Sequence, residues 1–548
     1  MKVPIREEKT FTTEDTESTE EIKNLASDLR GSHGCSKTLQ CRGTARSKAA
    51  VSSHEFWVIS HGSNVSIDTH KPDVTFSRIG VARPSDSPVV ADVVTFGVDS
   101  MPTKQALTVI GFLAVTCLFS IANDGRAPSA SMPGIAQNSE THSAAVLEQI
   151  IRQAELLAGD GQPYSFFGAS VAVSVDTAVV GAPGYNDDFG NYVPGYAYVF
   201  VKPASGWVNM IQTAELRASD SGNAAGNSFG QSVAIAGDTI VVGCEGLSQA
   251  YVYVKPAGGW VNMTETAILS PGPPTFSGFG YAIAMDAAAD TIVVGAYGTY
   301  LNGIPKGAGY VYLKPPGGWQ TTSAVNALLT ASDGQQNDHL GVSVAIAGNT
   351  IVLGASGKPY PFAPGAVYVY VKPETGWASM TQNAELTASV KVSGANLGSS
   401  AGIVGNTIAA GAPGGSESQP AGNVFVYVEP ADGWSNMTET ARVTDGNTVV
   451  DGLGWSVGLT GAGLVAGAPF DTVDGDQQAG SVYVFAKPKA GWKSTSKYAT
   501  RLTATYGEDY DILGISVAVA SDMVVAGGPQ AYGMDDVGLG YVFFTDKK

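Results

Sequence analysis

The sequence has few of the residues that build metal centres, disulfide frameworks or nucleic-acid surfaces. Its 548 residues include 4 cysteines and 6 histidines, charged residues make up 15%, and the formal net charge is −18. Because nucleic acid is bound by basic surfaces, this acidic balance argues against a nucleic-acid partner. It also provides no polybasic patch for a membrane surface. The sequence has no His-Glu-x-x-His motif and no phosphate-binding loop, so we predict no resident cofactor.

Three of the four cysteines lie before or within an apolar segment that we predict to be removed from the mature protein. Residues 101–122 read MPTKQALTVIGFLAVTCLFSIA, with one lysine, a short apolar run and a small-x-small end. This is the shape of a secretory signal peptide, and the run is short for a membrane span. Cleavage near Ala122 would leave Cys244 as the one cysteine of a secreted, extracellular or periplasmic chain. We therefore predict no internal disulfide.

Residues 1–100 lack periodicity and a core pattern, and we predict that they are unstructured or wrongly assigned to the protein. Two interpretations stay open. Translation starts at Met101, or the segment is a cytoplasmic tail on a signal anchor. Residues 123–150 are small and polar and are predicted to be a linker.

What the sequence does have is glycine, with 68 residues in the whole chain, most of them in seven copies of one pattern between Ala154 and Phe544. A tryptophan follows Pro-x-x-Gly in six copies, at steps of 53, 59, 58, 57 and 58 residues. A fixed period of this length predicts a solenoid, a propeller or an array. The tryptophans are Trp207, Trp260, Trp319, Trp377, Trp434 and Trp492.

Each repeat is predicted to contain four short strands. In the second copy a small apolar strand begins at Ser232, Gly237-Asp238 forms a tight turn, and residues 239–242 form a β-branched strand typical of burial on both faces. Alternating aromatic residues 250–254 form the third strand, and a half-polar fourth strand follows the tryptophan. We read the tryptophans and the strand tyrosines as packing residues rather than ligand-stacking ones.

Seven such units over residues 151–548 predict an all-β fold, a seven-bladed β-propeller of four-stranded blades. The C-terminus stops in a third strand, residues 541–544, whereas Ala154–Ala158 supplies an extra fourth-type strand ahead of the first repeat. We therefore predict that this N-terminal strand completes the last blade and closes the ring.

The recurring Phe-Gly, Ser-Val-Ala and Gly-Ala-Pro elements resemble the FG-GAP repeat of integrin α-chain propellers. Phenylalanine is kept at Phe167, Phe229 and Phe279. Leucine replaces it at Leu340, Leu397, Leu453 and Leu513. The resemblance implies a propeller outside the cytosol that takes part in binding or adhesion, and the chain is more similar to bacterial secreted members than to an integrin.

Calcium-binding copies of that family carry several acidic residues in the first hairpin, and this chain departs from them. Its most acidic hairpin has only Asp286 and Asp290, too few for a site of six or seven oxygens. We predict no metal site. Calcium at the acidic loops stays an open alternative, at residues 186–188, Asp471 with Asp474 and Asp476, Glu508 with Asp509 and Asp511, and residues 535–536.

The candidate catalytic residues are better explained by the repeat itself. Gly-x-Ser-x-Gly occurs around Ser228, Ser400 and Ser456, but a nucleophile elbow needs a strand-to-helix turn and a histidine. His339 is the sole histidine after residue 150, and we read it as a solvated loop residue. We therefore predict no catalytic residue and a chain that is not an enzyme.

The predicted function is a secreted, monomeric binding or adhesion module for a protein or glycan at the cell surface. Its variable loops all follow second strands and should gather on one face. The loops are residues 184–195, 297–309, 356–365, 414–422, 470–480 and 529–540. The alternatives are an extracellular lyase or glycosidase acting on polysaccharide and a purely structural scaffold.

Overall fold

The computed structural model describes residues 152–545, with gaps at 187–191, 221, 223, 225, 273–277, 361–362, 415–421, 448–449, 506, 521–522 and 531–536. Before them it describes only the backbone of strands between Glu8 and Phe96. The predicted signal peptide and linker lie outside the described residues. None of the described residues belongs to a helix long and apolar enough to cross a membrane.

The chain divides into two units, Met1–Pro133 and Gly134–Lys548. The first contains a five-stranded sheet and a two-stranded hairpin. The sheet consists of Glu8–Thr10, Lys37–Gly43, Ser63–Thr69, His54–His61 and Arg46–Val51, in that order, and the hairpin of Val74–Val81 and Val89–Phe96. Whether this region belongs to the protein stays a prediction.

The second unit is a ring of seven small antiparallel sheets, the blades, numbered 1–7 in chain order. The first strands are Ser170–Ser174, Phe229–Ala236, Phe279–Met285, Leu340–Ala347, Ser400–Val404, Val457–Leu459 and Ser516–Ala520. The second strands are Thr177–Ala182, Thr239–Cys244, Thr291–Ala296, Thr350–Ala355, Thr407–Ala412, Gly463–Ala468 and Met523–Gly528. The third strands are Tyr196–Val201, Gln249–Val254, Ala308–Leu313, Ala366–Val371, Asn423–Val428, Ser481–Ala486 and Leu539–Phe544. The fourth strands are Ala214–Arg217, Ala267–Leu269, Ala327–Thr330, Ala384–Thr387, Ala441–Val443, Thr500–Leu502 and, in blade 7, Arg152–Leu157.

The predicted all-β propeller with four-stranded blades is therefore confirmed. The described part has no α-helix, only the 3-10 turn Glu245–Leu247. Two further hairpins lie in the connections after second strands. They pair Tyr185–Asn186 with Tyr192–Val193, and Tyr300–Leu301 with Ile304–Pro305.

Ring closure also follows the prediction. Arg152–Leu157 pairs antiparallel with Leu539–Phe544, with Leu156 opposite Gly540 and Arg152 opposite Phe544. Ala154 and Leu156 are each 1% exposed and pack in the cluster that joins blade 7 to blade 1. The two ends of the propeller are thus held in one sheet, and blade 7 has no missing strand.

Seven hydrophobic clusters hold the blades together, one between each neighbouring pair. The repeat tryptophans are 4–8% exposed, and each packs between its own blade and the preceding one. Tyr251 and Tyr253 are fully buried in the same way. The interpretation of these aromatic residues as packing residues is confirmed.

At the inner side of the ring, each blade touches the next through backbone. The glycine of the Phe-Gly or Leu-Gly pair has a φ of 89–99° in every blade. Its carbonyl oxygen lies so close to a second-strand glycine of the preceding blade that any Cβ there would clash. The second-strand glycines are Gly181, Gly243, Gly295, Gly354, Gly411, Gly467 and Gly527.

A serine at the start of the first strand adds a hydrogen bond to the same carbonyl in six blades. Ser343 Oγ, for example, donates to Gly398 O at 2.7 Å, and Ser516 Oγ closes the ring by donating to Gly168 O at 2.7 Å. The other donors are Ser170, Ser232, Ser400 and Ser456. Blade 3 has Ala282 at this position, which has no hydroxyl.

On the outer side, the segment after each tryptophan pairs in parallel with the fourth strand of the preceding blade. These segments are Met210–Ile211, Met263–Thr264, Met380–Thr381 and Met437–Thr438, with single bridges at Thr322 and Thr495. At the outer strand of blade 6 the side-chain amide of Gln153, from the closing strand, bonds to Thr505 Oγ1. Successive blades are therefore joined at both their inner and outer edges.

Deleting residues 150–160 should remove the fourth strand of blade 7 and its buried Ala154 and Leu156. We expect a loss of stability on the order of 3–5 kcal/mol, since backbone pairing and apolar burial are lost together. Thermal melting of the variant measures this, with deletion of 134–144 as the matched control. A melting temperature unchanged by the first deletion would contradict closure by this strand.

Replacing Ser343 by alanine should cost about 1–2 kcal/mol, because the Gly398 carbonyl loses its buried donor. Ala282→Ser is the reciprocal variant and should keep or raise stability, because it offers the bond that blade 3 lacks. Chemical denaturation measures both changes. Equal effects of the two variants would show that the serine ring does not stabilise the fold.

Candidate functional site

The connections between second and third strands lie on one side of the ring with the connections that lead from fourth to first strands, since all four strands alternate in direction. We call this side the loop face. Hydrogen bonds join the two sets: Gly184 N–H donates to Ser165 O, Gly357 N–H to Asp338 O, and Phe470 N–H to Asp451 O. The predicted gathering of the variable loops on one face is confirmed over their described parts.

The loop face is acidic. Its connections contain the carboxylates of Asp160, Asp220, Glu245, Asp333, Asp338, Asp445, Asp451, Asp471, Asp474, Asp476, Glu508, Asp509 and Asp511. The described lysines and arginines of these connections are only three, Lys306, Lys358 and Lys391. On the opposite face the described lysines and carboxylates are nearly balanced. They are Lys202, Lys255, Lys314, Lys372, Lys487, Lys489, Lys493 and Lys497, with Asp176, Asp238, Glu265, Asp286, Asp290, Glu374, Glu429, Asp432 and Glu439. The loop face therefore disfavours anionic ligands.

The inner rim of the loop face is formed by one residue from each blade. In every blade the residue after the Phe-Gly or Leu-Gly pair donates its N–H to the carbonyl three residues earlier, so the seven positions are equivalent. These rim residues are Ala169, Gln231, Tyr281, Val342, Ser399, Trp455 and Ile515, and none of them is fully buried. The rim therefore combines a fixed backbone with side chains that differ from blade to blade.

A buried carboxyl pair lies in the connection before blade 6. Asp451 is 0% exposed, and its Oδ1 accepts the Leu453 N–H at 3.0 Å. Asp445 accepts the N–H of Asn447 at 3.0 Å, and the Asn447 side-chain amide bonds to both carboxyls. Burial, reinforced by a hydrogen bond to Asp445, raises the pKa of Asp451 to about 7. No pattern in the sequence predicts this pair, because the raised pKa of Asp451 depends on burial.

A buried lysine lies on blade 4. Lys358 is 8% exposed, and its Nζ bonds to the Asp333 carboxylate and the Tyr368 hydroxyl. The hydrogen bonds from Lys358 and Tyr368 lower the pKa of Asp333 against the opposing effect of burial. Tyrosines of blades 1 and 2 make the same kind of bond, Tyr198 to Asp160 and Tyr251 to Asp220. These acids fasten the loops to the third strands.

One of the acids named as calcium alternatives, Asp471, makes similar crosslinks. Asp471 accepts hydrogen bonds from Ser481 at 2.6 Å and Tyr483 at 2.8 Å and pairs with Arg501 at 2.7 Å. Asp474 and Gly475 have φ of 54° and 111° and form the turn of a hairpin in which residue 473 pairs with Asp476. A two-residue turn of this kind favours Asp-Gly without any ligand.

Three further acids, Asp509, Asp511 and Asp286, bond to backbone. Asp509 accepts the Gln477 N–H at 2.6 Å, and Asp511 accepts the Glu508 N–H at 2.7 Å. Asp286 accepts the N–H groups of Asp290 and Thr291, and burial raises its pKa. Residues 187–188 and 535–536 lie outside the described residues. Within the described part of the chain, no three acidic, histidine or cysteine side chains are grouped as a metal would require. The prediction of no metal stays a prediction.

The other candidate residues have structural surroundings. Ser400 and Ser456 belong to the inner ring of serine bonds, and Ser228 has a φ of 58° at the left-handed position before its blade. The interpretation of His339 as a solvated residue needs correction. Its ring is half-buried and packs edge-on against Tyr297 at 5.7 Å, and burial lowers its pKa.

Seven four-stranded sheets closed by an N-terminal strand define a seven-bladed β-propeller. Four segments of the chain match the family model of the FG-GAP repeat, residues 151–200, 210–253, 325–370 and 438–485. These four segments of the propeller are therefore FG-GAP repeats. Each match begins near the fourth strand of one blade and ends at the third strand of the next, which is the same offset that closes the ring.

Among solved structures, the chain is similar to the WD40 domain of coronin from Toxoplasma gondii. The two are 10% identical with a TM-score of 0.40, over 72% of this chain and 85% of that chain. No curated protein sequence matches the chain significantly.

Replacing Asp451 by asparagine should raise stability at pH 8 and change it little at pH 5. A carboxyl whose pKa is raised in the folded state binds its proton more tightly when the protein is folded. Its contribution to the free energy of unfolding is therefore complete below about pH 4 and is lost as pH rises through about 7. Asparagine does not titrate and keeps the bond to Leu453. We expect the variant to gain about 1–3 kcal/mol relative to the native chain between these two pH values.

Thermal melts of both proteins at pH 5 and pH 8 measure that difference. Asp509→Asn, which makes the same substitution at an exposed carboxylate of the same face, is the control. The assignment fails if the effect of Asp451→Asn is independent of pH.

Proposed function

We propose that the chain is a secreted, non-enzymatic binding module that attaches to a cell-surface partner through its loop face. The proposal is supported by exposed apolar side chains in four consecutive blades of that face. Large apolar residues that are 40–67% exposed lie in the loop-face connections of blades 3–6, where exposed apolar surface marks interaction sites. They are Tyr300, Ile304, Tyr360, Val390, Val450 and Trp455.

The frame suits this role because the blades are joined at inner and outer edges, so the loops are displayed on a rigid support. Crosslinks such as Asp471 to Ser481 and Asp509 to Gln477 hold the loops themselves in place. A preformed surface loses little conformational entropy when it binds. Variation between blades in loop length and sequence then supplies specificity.

The enzyme alternative has weaker support. A general acid needs a raised pKa and contact with the substrate. Asp451 has the raised pKa, but it is fully buried and is bonded to its neighbours. The proposal of a binding module therefore depends on the exposed apolar residues of the loop face. An enzyme would need catalytic residues other than Asp445 and Asp451.

Binding of the fluorescently labelled full chain to intact cells of its source organism tests the proposal. We expect saturable binding that falls at least tenfold in the double variant Tyr300→Ser, Tyr360→Ser, since apolar contacts at an interface core dominate affinity. Val175→Ser with Val261→Ser, at exposed positions of the opposite face, is the control and should bind as the native chain does.

Cell binding that is non-saturable, or that is unchanged by the loop-face variant, would overturn the proposal. Repeating the titration with calcium and with chelator tests the calcium alternative. Release of new reducing ends or unsaturated products from polysaccharide would instead support the enzyme.

A further inference from the structure

Two blades carry an aromatic side chain at the rim. Blade 3 has Tyr281 and blade 6 has Trp455, and the five other rim residues are Ala169, Gln231, Val342, Ser399 and Ile515. Trp455 is 41% exposed and Tyr281 is half-buried. A tryptophan this exposed at the inner edge of a closely packed ring is not required for packing, because the other blades pack without one.

The same two blades differ from the rest at a second position, three residues before the rim. The backbone is left-handed there in every blade, with φ of 49–74°. Five blades nevertheless carry a side chain, at Phe166, Ser228, His339, Asn396 and Ile512. Blades 3 and 6 have Gly278 and Gly452 instead. The left-handed backbone alone therefore does not account for these glycines.

The space left by each glycine is filled by a second aromatic ring. A Cβ at Gly278 would lie 2.6 Å from Tyr297 Cε1, and one at Gly452 would lie 2.9 Å from Phe470 Cδ2. Both rings follow the second strand of their own blade. The glycines thus let these rings approach the backbone more closely than a side chain at the same position would allow.

Each of these rings meets the rim aromatic edge to face. The centroids of Tyr281 and Tyr297 are 4.9 Å apart at 74°, and those of Trp455 and Phe470 are 5.3 Å apart at 81°. Tyr297 is held by its hydroxyl, which donates to Glu245 at 2.8 Å. Phe470 is held by its backbone N–H, which donates to Asp451 O at 3.0 Å. Glycine, rim aromatic and supporting aromatic occur together in blades 3 and 6, and no other blade combines them.

We propose that these two aromatic pairs are stacking platforms for the sugar rings of a neutral glycan, with Trp455 as the main contact and Tyr281 as the second. This inference rests on the proposed binding function and names its ligand class. An aromatic ring fixed by an edge-on neighbour keeps a face for the apolar C–H face of a pyranose ring, and aromatic walls with a few polar groups are typical of small-ligand sites.

The surroundings favour a neutral glycan. Loop-face carboxylates can accept hydrogen bonds from sugar hydroxyls and repel sulfated or uronic chains. Blades 3 and 6 are three blades apart in a ring of seven, so the platforms lie on nearly opposite sides of the ring. A single extended oligosaccharide could therefore contact both. A protein partner would need about 800 Å² of continuous surface, whereas the two platforms are separate aromatic pairs on different blades.

Titration of the full chain with neutral hexasaccharides, namely cellohexaose, N-acetylchitohexaose, xylohexaose and mannohexaose, tests the inference by calorimetry and tryptophan fluorescence. We expect at least one to bind and to change the fluorescence. Trp455→Ala should weaken binding at least tenfold, Tyr281→Ala several-fold, and Trp455→Phe less than Trp455→Ala. Tyr498→Ala, at an aromatic of the opposite face that is 38% exposed, should have no effect.

Each variant is first shown to have the melting temperature of the native chain. A loss of binding can then be assigned to the aromatic platform and not to unfolding. Absence of binding by all four sugars, or binding that Trp455→Ala leaves intact, overturns the inference. Preferential binding of a heparin or polygalacturonate hexasaccharide also overturns it. If the chain binds cells saturably but binds no sugar, the proposed binding function stands and the glycan inference is wrong. If it binds neither cells nor sugars, both proposals are wrong.

Discussion

The contact on which the rest of this propeller depends is the approach of one glycine carbonyl to the glycine of the neighbouring blade. No side chain fits between them, and the carbonyl belongs to a residue in the left-handed region, such as Gly454 against Gly411. Serine hydroxyls satisfy most of these carbonyls. The inner radius of the ring is therefore set by backbone contact. The innermost strands must have small side chains where they lie near the axis.

From that inner contact the blades widen outward, and each gap fills with a larger apolar cluster and usually with a tryptophan. The parallel segments after the tryptophans then join the outer edges. Because the sequence repeat runs from a fourth strand to the next third strand, the chain ends fall within one blade. Closure is thus a consequence of where the repeat begins, and an apolar cluster fills the gap between blade 7 and blade 1 as it does every other gap.

A frame fixed in this way leaves the rim and loops free to differ. The turn before each first strand is the same in all blades, yet its side chains range from alanine to tryptophan. Blades 3 and 6 combine glycine with two aromatic rings, and in blade 6 the rim tryptophan, Trp455, is 41% exposed. Such a departure from the repeat is most readily understood as serving a ligand. The buried Asp445–Asp451 pair differs from these aromatic residues, because it is bonded within its own loop and is buried away from any ligand. Its raised pKa is a property of the structure of that loop.

The sequence by itself determined the number of blades, the order of the strands, the closing strand and the burial of the tryptophans, since these follow from the repeat period and from alternation within single strands. Only the tertiary structure decided the site. It placed Phe470 against Trp455, packed His339 of blade 4 on Tyr297 of blade 3, and buried Asp451 enough to raise its pKa. These properties depend on contacts between separate loops and on exclusion of water, and neither is encoded in the spacing of residues along one strand.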